Sequence, residues 1–265
     1  MGERLLRGRT AFIVLILSGI IVSAIIFGTM FSNPEDASLE ALEGYSVAVY
    51  TDLGVSAPSY RAVVSMMEWM GATVTSIGPD HIRNGSLAYV DMLVMPGGLY
   101  ADERCEILLE SDMNAIRQFV YDGGAYLGIE GGASYVTAWR ANIFHGNYIA
   151  DANGTGIYLL DFDMNRDCTN PDLSEEPTSY TMLYKNSGYF STDDWTGVTT
   201  VSTYQDTGNP SMIVFQYGDG KLFLSGPHPE FEEGDLRDET DYFDQLQDPD
   251  SEWPFMLKIC MWLLL

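Results

Sequence analysis

The sequence predicts an α/β fold, a three-layer arrangement with a mostly parallel sheet covered by helices, preceded by one transmembrane helix. Three observations predict it. Short β-rich runs alternate with segments of helical periodicity between residues 45 and 139. Two glycine corners, Pro96-Gly97-Gly98 and Gly131-Gly132, end strands abruptly. An uncharged apolar run covers residues 10–30, before all of this.

The elements follow in order. Residues 45–50 form a first strand, and residues 59–70 carry Val63, Val64, Met67 and Trp69 at helical intervals until Gly71 stops them. Residues 73–77 and 88–95 are the second and third strands. Residues 113–121 are a helix closed by Asp122-Gly123-Gly124, residues 125–129 a fourth strand, and residues 131–139 begin the next helix. In such a sheet, sites lie at the carboxyl ends of strands. The corner at residues 96–98 and the one at Glu130 are therefore expected to converge.

Beyond residue 142 the pattern loosens, and 142–191 reads as an insertion or lobe beside the site. Residues 157–162, 181–184 and 198–203 are candidate strands within or just after it. Residues 211–217 and 221–225 then pair across Gly218-Asp219-Gly220. They deliver Gly226-Pro227-His228. The last run, 253–265, is too short to span a bilayer and reads as a helix covering the sheet.

At 265 residues, one domain plus decorations is expected. The organisation reads as a cytoplasmic tail (1–9), a transmembrane anchor (10–30), a stalk (31–44) and one folded domain (45–265). Arg4, Arg7 and Arg9 flank the apolar run, so the positive-inside rule places the domain outside the cytoplasm, on a single-pass cell-membrane protein. A cleaved signal peptide is the rival, but the run exceeds the usual apolar region of such peptides. The 38 acidic residues against 13 Lys plus Arg give a net charge of -25, which repels nucleic acid. Such a field serves solubility or a cation-binding role. Cys105, Cys168 and Cys260 are too few and too scattered for a disulfide framework. Cys260 reads as buried, and Cys168, in a polar loop, as the most exposed. No motif implies a cofactor.

The chemistry concentrates in two segments. In Ala125-Tyr-Leu-Gly-Ile-Glu130-Gly-Gly-Ala, Glu130 stands on a tight elbow between a buried strand and a helix. Such an elbow offers unpaired N–H groups. Glu130 there is an anion held by the corner, or simply the cap of its helix. In Leu224-Ser-Gly-Pro-His228-Pro-Glu230, an imidazole and a carboxylate stand two residues apart, the base half of a nucleophilic triad. Asp161, Asp163, Asn165 and Asp167 alternate like calcium ligands, but without the glycine and closing glutamate of an EF-hand; an acidic loop is expected. His145 is expected on a strand edge or loop.

These segments resemble the class I glutamine amidotransferase-like superfamily, with the closest resemblance to the group similar to the N-terminal domain of biotin-protein ligase. The resemblance covers roughly residues 45–232 and implies a flavodoxin-like sandwich. It implies that Met95-Pro96-Gly97-Gly98 is the oxyanion-side loop, with Gly97, Gly98 and Gly131 as oxyanion or ligand-binding positions. Glu130 takes the place of the nucleophilic cysteine, and His228 and Glu230 match the other triad positions. Tyr184 to Phe190 weakly resembles a glycine-aromatic loop of the same group. Cys105 or Ser134 could replace the nucleophile only by reaching the cleft. Three functions stay open. The domain is a catalytically silent module binding a small molecule, peptide or protein partner at the membrane exterior; or a hydrolase using Glu130 and His228; or a divalent-metal site of Glu130, His228 and Glu230.

Overall fold

The computed structural model describes residues 40–99, 107–137, 140–192, 196–248 and 250–265. The expected tail, anchor and most of the stalk lie outside them, as does Cys105. Among the described residues no helix is long and apolar enough to cross a membrane. Leu42, counted above in the stalk, is buried, and its N–H donates to the Met70 carbonyl at 2.8 Å.

The strands are β1 Ser46–Tyr50, β2 Thr73–Ile77, β3 Met92–Met95, β4 Ala125–Ile129, β5 Asn147–Ile149, β6 Ile157–Met164, β7 Ser179–Lys185, β8 Tyr189–Ser191, β9 Thr199–Tyr204, β10 Pro210–Tyr217 and β11 Gly220–Ser225. The helices are α1 Ala57–Trp69, α2 Pro79–Arg83, α3 Glu110–Tyr121, α4 Gly131–Tyr135 and α5 Trp253–Leu264. One sheet runs β2-β1-β3-β4-β11-β10-β9-β6-β7, with β5 and β8 paired apart from it.

The sheet is mixed, which corrects the expectation of a mostly parallel one. From β2 to β11 all neighbours are parallel. From β11 to β7 all are antiparallel. Short connections join β9 to β10 and β10 to β11, and such links favour antiparallel neighbours; β6 and β7 add to this half antiparallel across the longer stretch 165–178. The loosened stretch thus supplies β6 and β7 to the main sheet. Of residues 88–91, expected to open β3, Ala88 and Tyr89 instead end a 3-10 turn, Ser86–Tyr89, entered through Gly85 at φ +82°, and β3 begins at Met92.

Alternation along β1 splits the core. Val47 and Val49 face α1 and α5, packing with Val63, Met66, Phe255 and Ile259. Ala48 and Tyr50 face the other side, with Ile82, Ile116 and Val120 of α2 and α3. β3 and β4 are buried at every position, as strands covered on both faces must be. The α5 face of Phe255, Met256, Ile259, Cys260 and Leu263 makes it the expected cover. Cys168 departs from expectation: it is buried beside Leu173, and burial pushes its thiol pKa up. Its polar neighbours in sequence concealed that it closes the end of one core.

Candidate active site at the strand ends

β4 ends at Ile129 and the chain turns at once into α4. Glu130 takes φ 48°, a left-handed backbone that costs a non-glycine residue about 1–3 kcal/mol unless its surroundings fix it. They do: its N–H donates to the Ser225 carbonyl at 2.8 Å, and its carbonyl accepts from Ser134 N–H at 2.9 Å. The register that aligns Ser225 with Ile129 puts the end of β11 at this elbow.

The glycines are required by close approach. A Cβ on Gly131 would lie 1.8 Å from the Gly98 carbonyl oxygen, and one on Gly132 would lie 2.0 Å from the Met95 carbonyl oxygen. The loop after β3 therefore rests directly on the elbow. Across this contact Gly98 N–H donates to Glu130 Oε2 at 2.8 Å. The Glu130 side chain makes no cap bond to its own helix, so the capping reading fails. Its carboxylate instead takes the N–H that the resemblance assigned to an oxyanion.

Opposite lies the second segment. His228 is 2% exposed and Glu230 is fully buried. His228 Nδ1 and Glu230 Oε1 are 2.9 Å apart. Main-chain bonds fix both residues: His228 N–H donates to the Leu183 carbonyl of β7 at 3.0 Å, and the Trp253 indole donates to the Glu230 carbonyl at 3.0 Å. The His228 ring also sits 5.6 Å from that of Phe231. Burial pushes the His228 pKa down, but the charge and hydrogen bond of Glu230, with the charge of Glu130, outweigh it and raise the pKa above its ordinary value. His228 Nε2 and Glu230 Oε2 are buried without a protein partner. A Glu230 bond at Nδ1 directs the chemistry of the ring to Nε2.

Ser59 joins the two halves. Its hydroxyl donates to Glu230 Oε1 at 2.5 Å and accepts from Gly97 N–H at 2.8 Å. Sequence reasoning passed over it as the start of a helix. The available signal was a hydroxyl on the apolar stripe of α1, four residues before Val63. Gly97 is glycine for the same convergence, since a Cβ there would meet His228 Cε1 at 2.7 Å.

The structure thus brings Gly97, Gly98, Glu130, Gly131, His228 and Glu230 to one end of the sheet. It does not make Glu130, His228 and Glu230 a metal cluster. Among the described residues, the trio offering ligand atoms within 4.8 Å of one another is Asp248, Asp250 and Glu252. Ser134 Oγ donates to the Gly131 carbonyl at 3.1 Å and caps its own turn. His145 is exposed. Asp161 and Asp163 accept from Thr181 Oγ1 and Gln205 Nε2 across the sheet, and so are strand-surface residues and not a ligand loop.

Comparison with known proteins agrees with this fold. Residues 45–154 match the family described as biotin-protein ligase, N terminal. Over 161 residues, 53% of the chain, the sequence is 28% identical to a biotin–protein ligase of Schizosaccharomyces pombe, of which it covers 25%. The chain therefore spans only a quarter of that relative's length. A glutamine amidotransferase of Thermotoga maritima shares the fold with a TM-score of 0.58 at 15% identity, over 83% of this chain and 96% of that one. A GMP synthase component of Thermoplasma acidophilum does so with a TM-score of 0.57 at 13% identity, over 83% and 95%.

Proposed function

We propose that this chain, a class I glutamine amidotransferase-like fold whose residues 45–154 match the biotin-protein ligase N-terminal family, is a binding domain silent in amide hydrolysis. The observation that carries this reading is the bond from Gly98 N–H to Glu130 Oε2. Amide hydrolysis through a covalent intermediate needs a nucleophile on the elbow and free donors for the oxyanion. Here one carboxylate takes both places. It is a weak nucleophile toward an amide. A substrate oxyanion would have to displace a charge-assisted hydrogen bond, of a kind contributing about 1.5–3 kcal/mol.

In this reading the strand-end site around Gly98 and Glu130 takes a small molecule, peptide or protein segment, and residues 10–30 hold the domain on the outer face of a membrane. The ligase activity of the matched relative belongs to a protein most of which lies beyond the match, and it forms no part of this reading. Full-length protein is expected to stay with membranes after carbonate washing. A mature amino terminus beyond residue 30 would replace the anchor by a secretion signal.

The intact His228–Glu230 pair favours a second reading, a hydrolase in which Glu130 and His228 activate water. Ammonia release from glutamine and small amides separates the two. The binding reading predicts none from the wild-type protein, with or without divalent ions. Metal-independent turnover abolished by both Glu130→Gln and His228→Ala would establish the hydrolase instead.

A further inference from the structure

Between Glu230 and α5 the chain crosses the back of the site in a segment whose short helical turns are Leu236–Asp238 and Asp244–Leu246. It is crowded with carboxylates. Asp248, Asp250 and Glu252 each offer an oxygen, and these lie within 4.8 Å of one another. Glu252 is 1% exposed, yet its Oε1 has no hydrogen-bond partner. Asp248 Oδ2 and Glu233 Oε1 are likewise buried without one. Glu233 belongs to the same cluster: its carbonyl accepts from Asp248 N–H at 3.3 Å.

The neighbouring cations are engaged elsewhere. Arg237 pairs with Glu232, donates to Ser251 Oγ at 2.8 Å, and lies 4.6 Å from the ring centre of Trp253. Lys258 pairs with Glu176. A buried carboxylate is costly unless paired, fully hydrogen-bonded or bound to a metal. A proton can neutralise one such group; a single cation from solution can satisfy several of these oxygens at once.

We propose that Asp248, Asp250 and Glu252, with Glu233 beside them, bind a hard divalent cation of the calcium class. The geometry permits it: oxygens that all lie within 4.8 Å of one another can share one ion that holds its ligands at about 2.3–2.6 Å. An all-oxygen donor set selects calcium, magnesium or manganese over zinc or copper. Asp248, Asp250 and Glu252 lie outside helix and strand, after the second of the two short turns, which suits the flexible coordination of calcium better than the strict octahedron of magnesium.

The ion has structural consequences. Asp250 Oδ2 accepts from Thr181 N–H of β7 at 3.4 Å, and Glu252 directly precedes Trp253, whose indole holds the Glu230 carbonyl. Bound calcium ties β7, the start of α5 and the rear of the His228–Glu230 pair into one unit. It positions the site without entering it, and this holds whichever function the cleft performs.

The test uses full-length protein, calcium and the luminescent analogue terbium. Terbium bound beside Trp253 is expected to emit on tryptophan excitation, and calcium, but not sodium at equal ionic strength, to displace it. Calcium at a hundredfold excess over Kd is expected to raise Tm by roughly 5–10 °C relative to chelator. Glu252→Gln should abolish both responses. Asp250→Asn, at an exposed position and still able to accept from Thr181 N–H, should weaken calcium by roughly tenfold or more. Absence of both responses in the wild-type protein overturns the proposal. So does a Glu252→Gln protein that binds calcium as the wild type does. If Glu252→Gln fails to fold, an unchanged calcium affinity in Asp250→Asn overturns it by itself.

Discussion

Replacing Gly131 with alanine tests whether the elbow and the loop after β3 are in the contact described. The new Cβ would lie 1.8 Å from the Gly98 carbonyl oxygen and 2.7 Å from its carbon. Both are backbone atoms, so no side-chain rotamer can relieve the clash. The loop must retreat by roughly 1.2 Å to reach even a 3.0 Å contact. That movement strains the bond from Ser56 N–H to the Gly97 carbonyl at 2.8 Å and the bond from Gly98 N–H to Glu130. Overpacking costs about 1–3 kcal/mol, and an unrelievable backbone contact belongs at the upper end, near 3. For a domain of this size, each kcal/mol lowers Tm by about 2–4 °C, so a fall of roughly 6–12 °C is expected. Gly44→Ala supplies the contrast. Gly44 has φ +89° with nothing within 4 Å of a new Cβ, so only the left-handed backbone penalty of about 1 kcal/mol applies. Thermal unfolding followed by circular dichroism compares the two. A Gly131→Ala protein as stable as Gly44→Ala would refute the close approach of loop and elbow.

Other outcomes follow from the same geometry. Ser59→Ala leaves the buried Gly97 N–H without its acceptor and Glu230 without its hydroxyl donor, so denaturant unfolding should show a loss of about 2 kcal/mol; an unchanged midpoint would remove Ser59 from the site. His228 has a folded pKa raised above its unfolded value of about 6.5. Its contribution to stability is then fully present below that unfolded value and lost as pH rises through the folded one. Urea midpoints between pH 6 and 9 should fall more steeply for the wild type than for His228→Gln, and parallel slopes would contradict the raised value. Glu230→Gln removes the largest favourable influence on the imidazolium, so the His228 ring protons should titrate at lower pH in NMR.

Much of this was legible in the sequence because the deciding signals are local. The strands at residues 73–77 and 125–129 are short β-rich runs closed by glycine. Parallel strands bring their carboxyl ends to one edge, so Gly97, Gly98, Glu130 and His228 had to approach one another once the order was known. What stayed hidden depends on distant contacts. β6 is half exposed along most of its length, so its pattern is weak, and only its pairing with β7 and β9 reveals that it extends the main sheet. Glu130 looks like a helix cap in sequence, and only the folding of the 96–98 loop onto the elbow gives its carboxylate another donor. The role of Ser59 needs a partner 171 residues away. Glu252 was one more acid in an acidic run, and nothing in its neighbours announces that it is 1% exposed.

The central claim is that Glu130 itself occupies the Gly98 donor, and amide NMR of full-length protein tests this most directly. A carboxylate acceptor draws the Gly98 amide proton downfield. Glu130→Gln, which puts a neutral amide in place of the carboxylate, should move that signal upfield. A Gly98 amide that does not respond to Glu130→Gln would contradict the claim, leaving the donor free for an oxyanion and returning the hydrolase reading to first place.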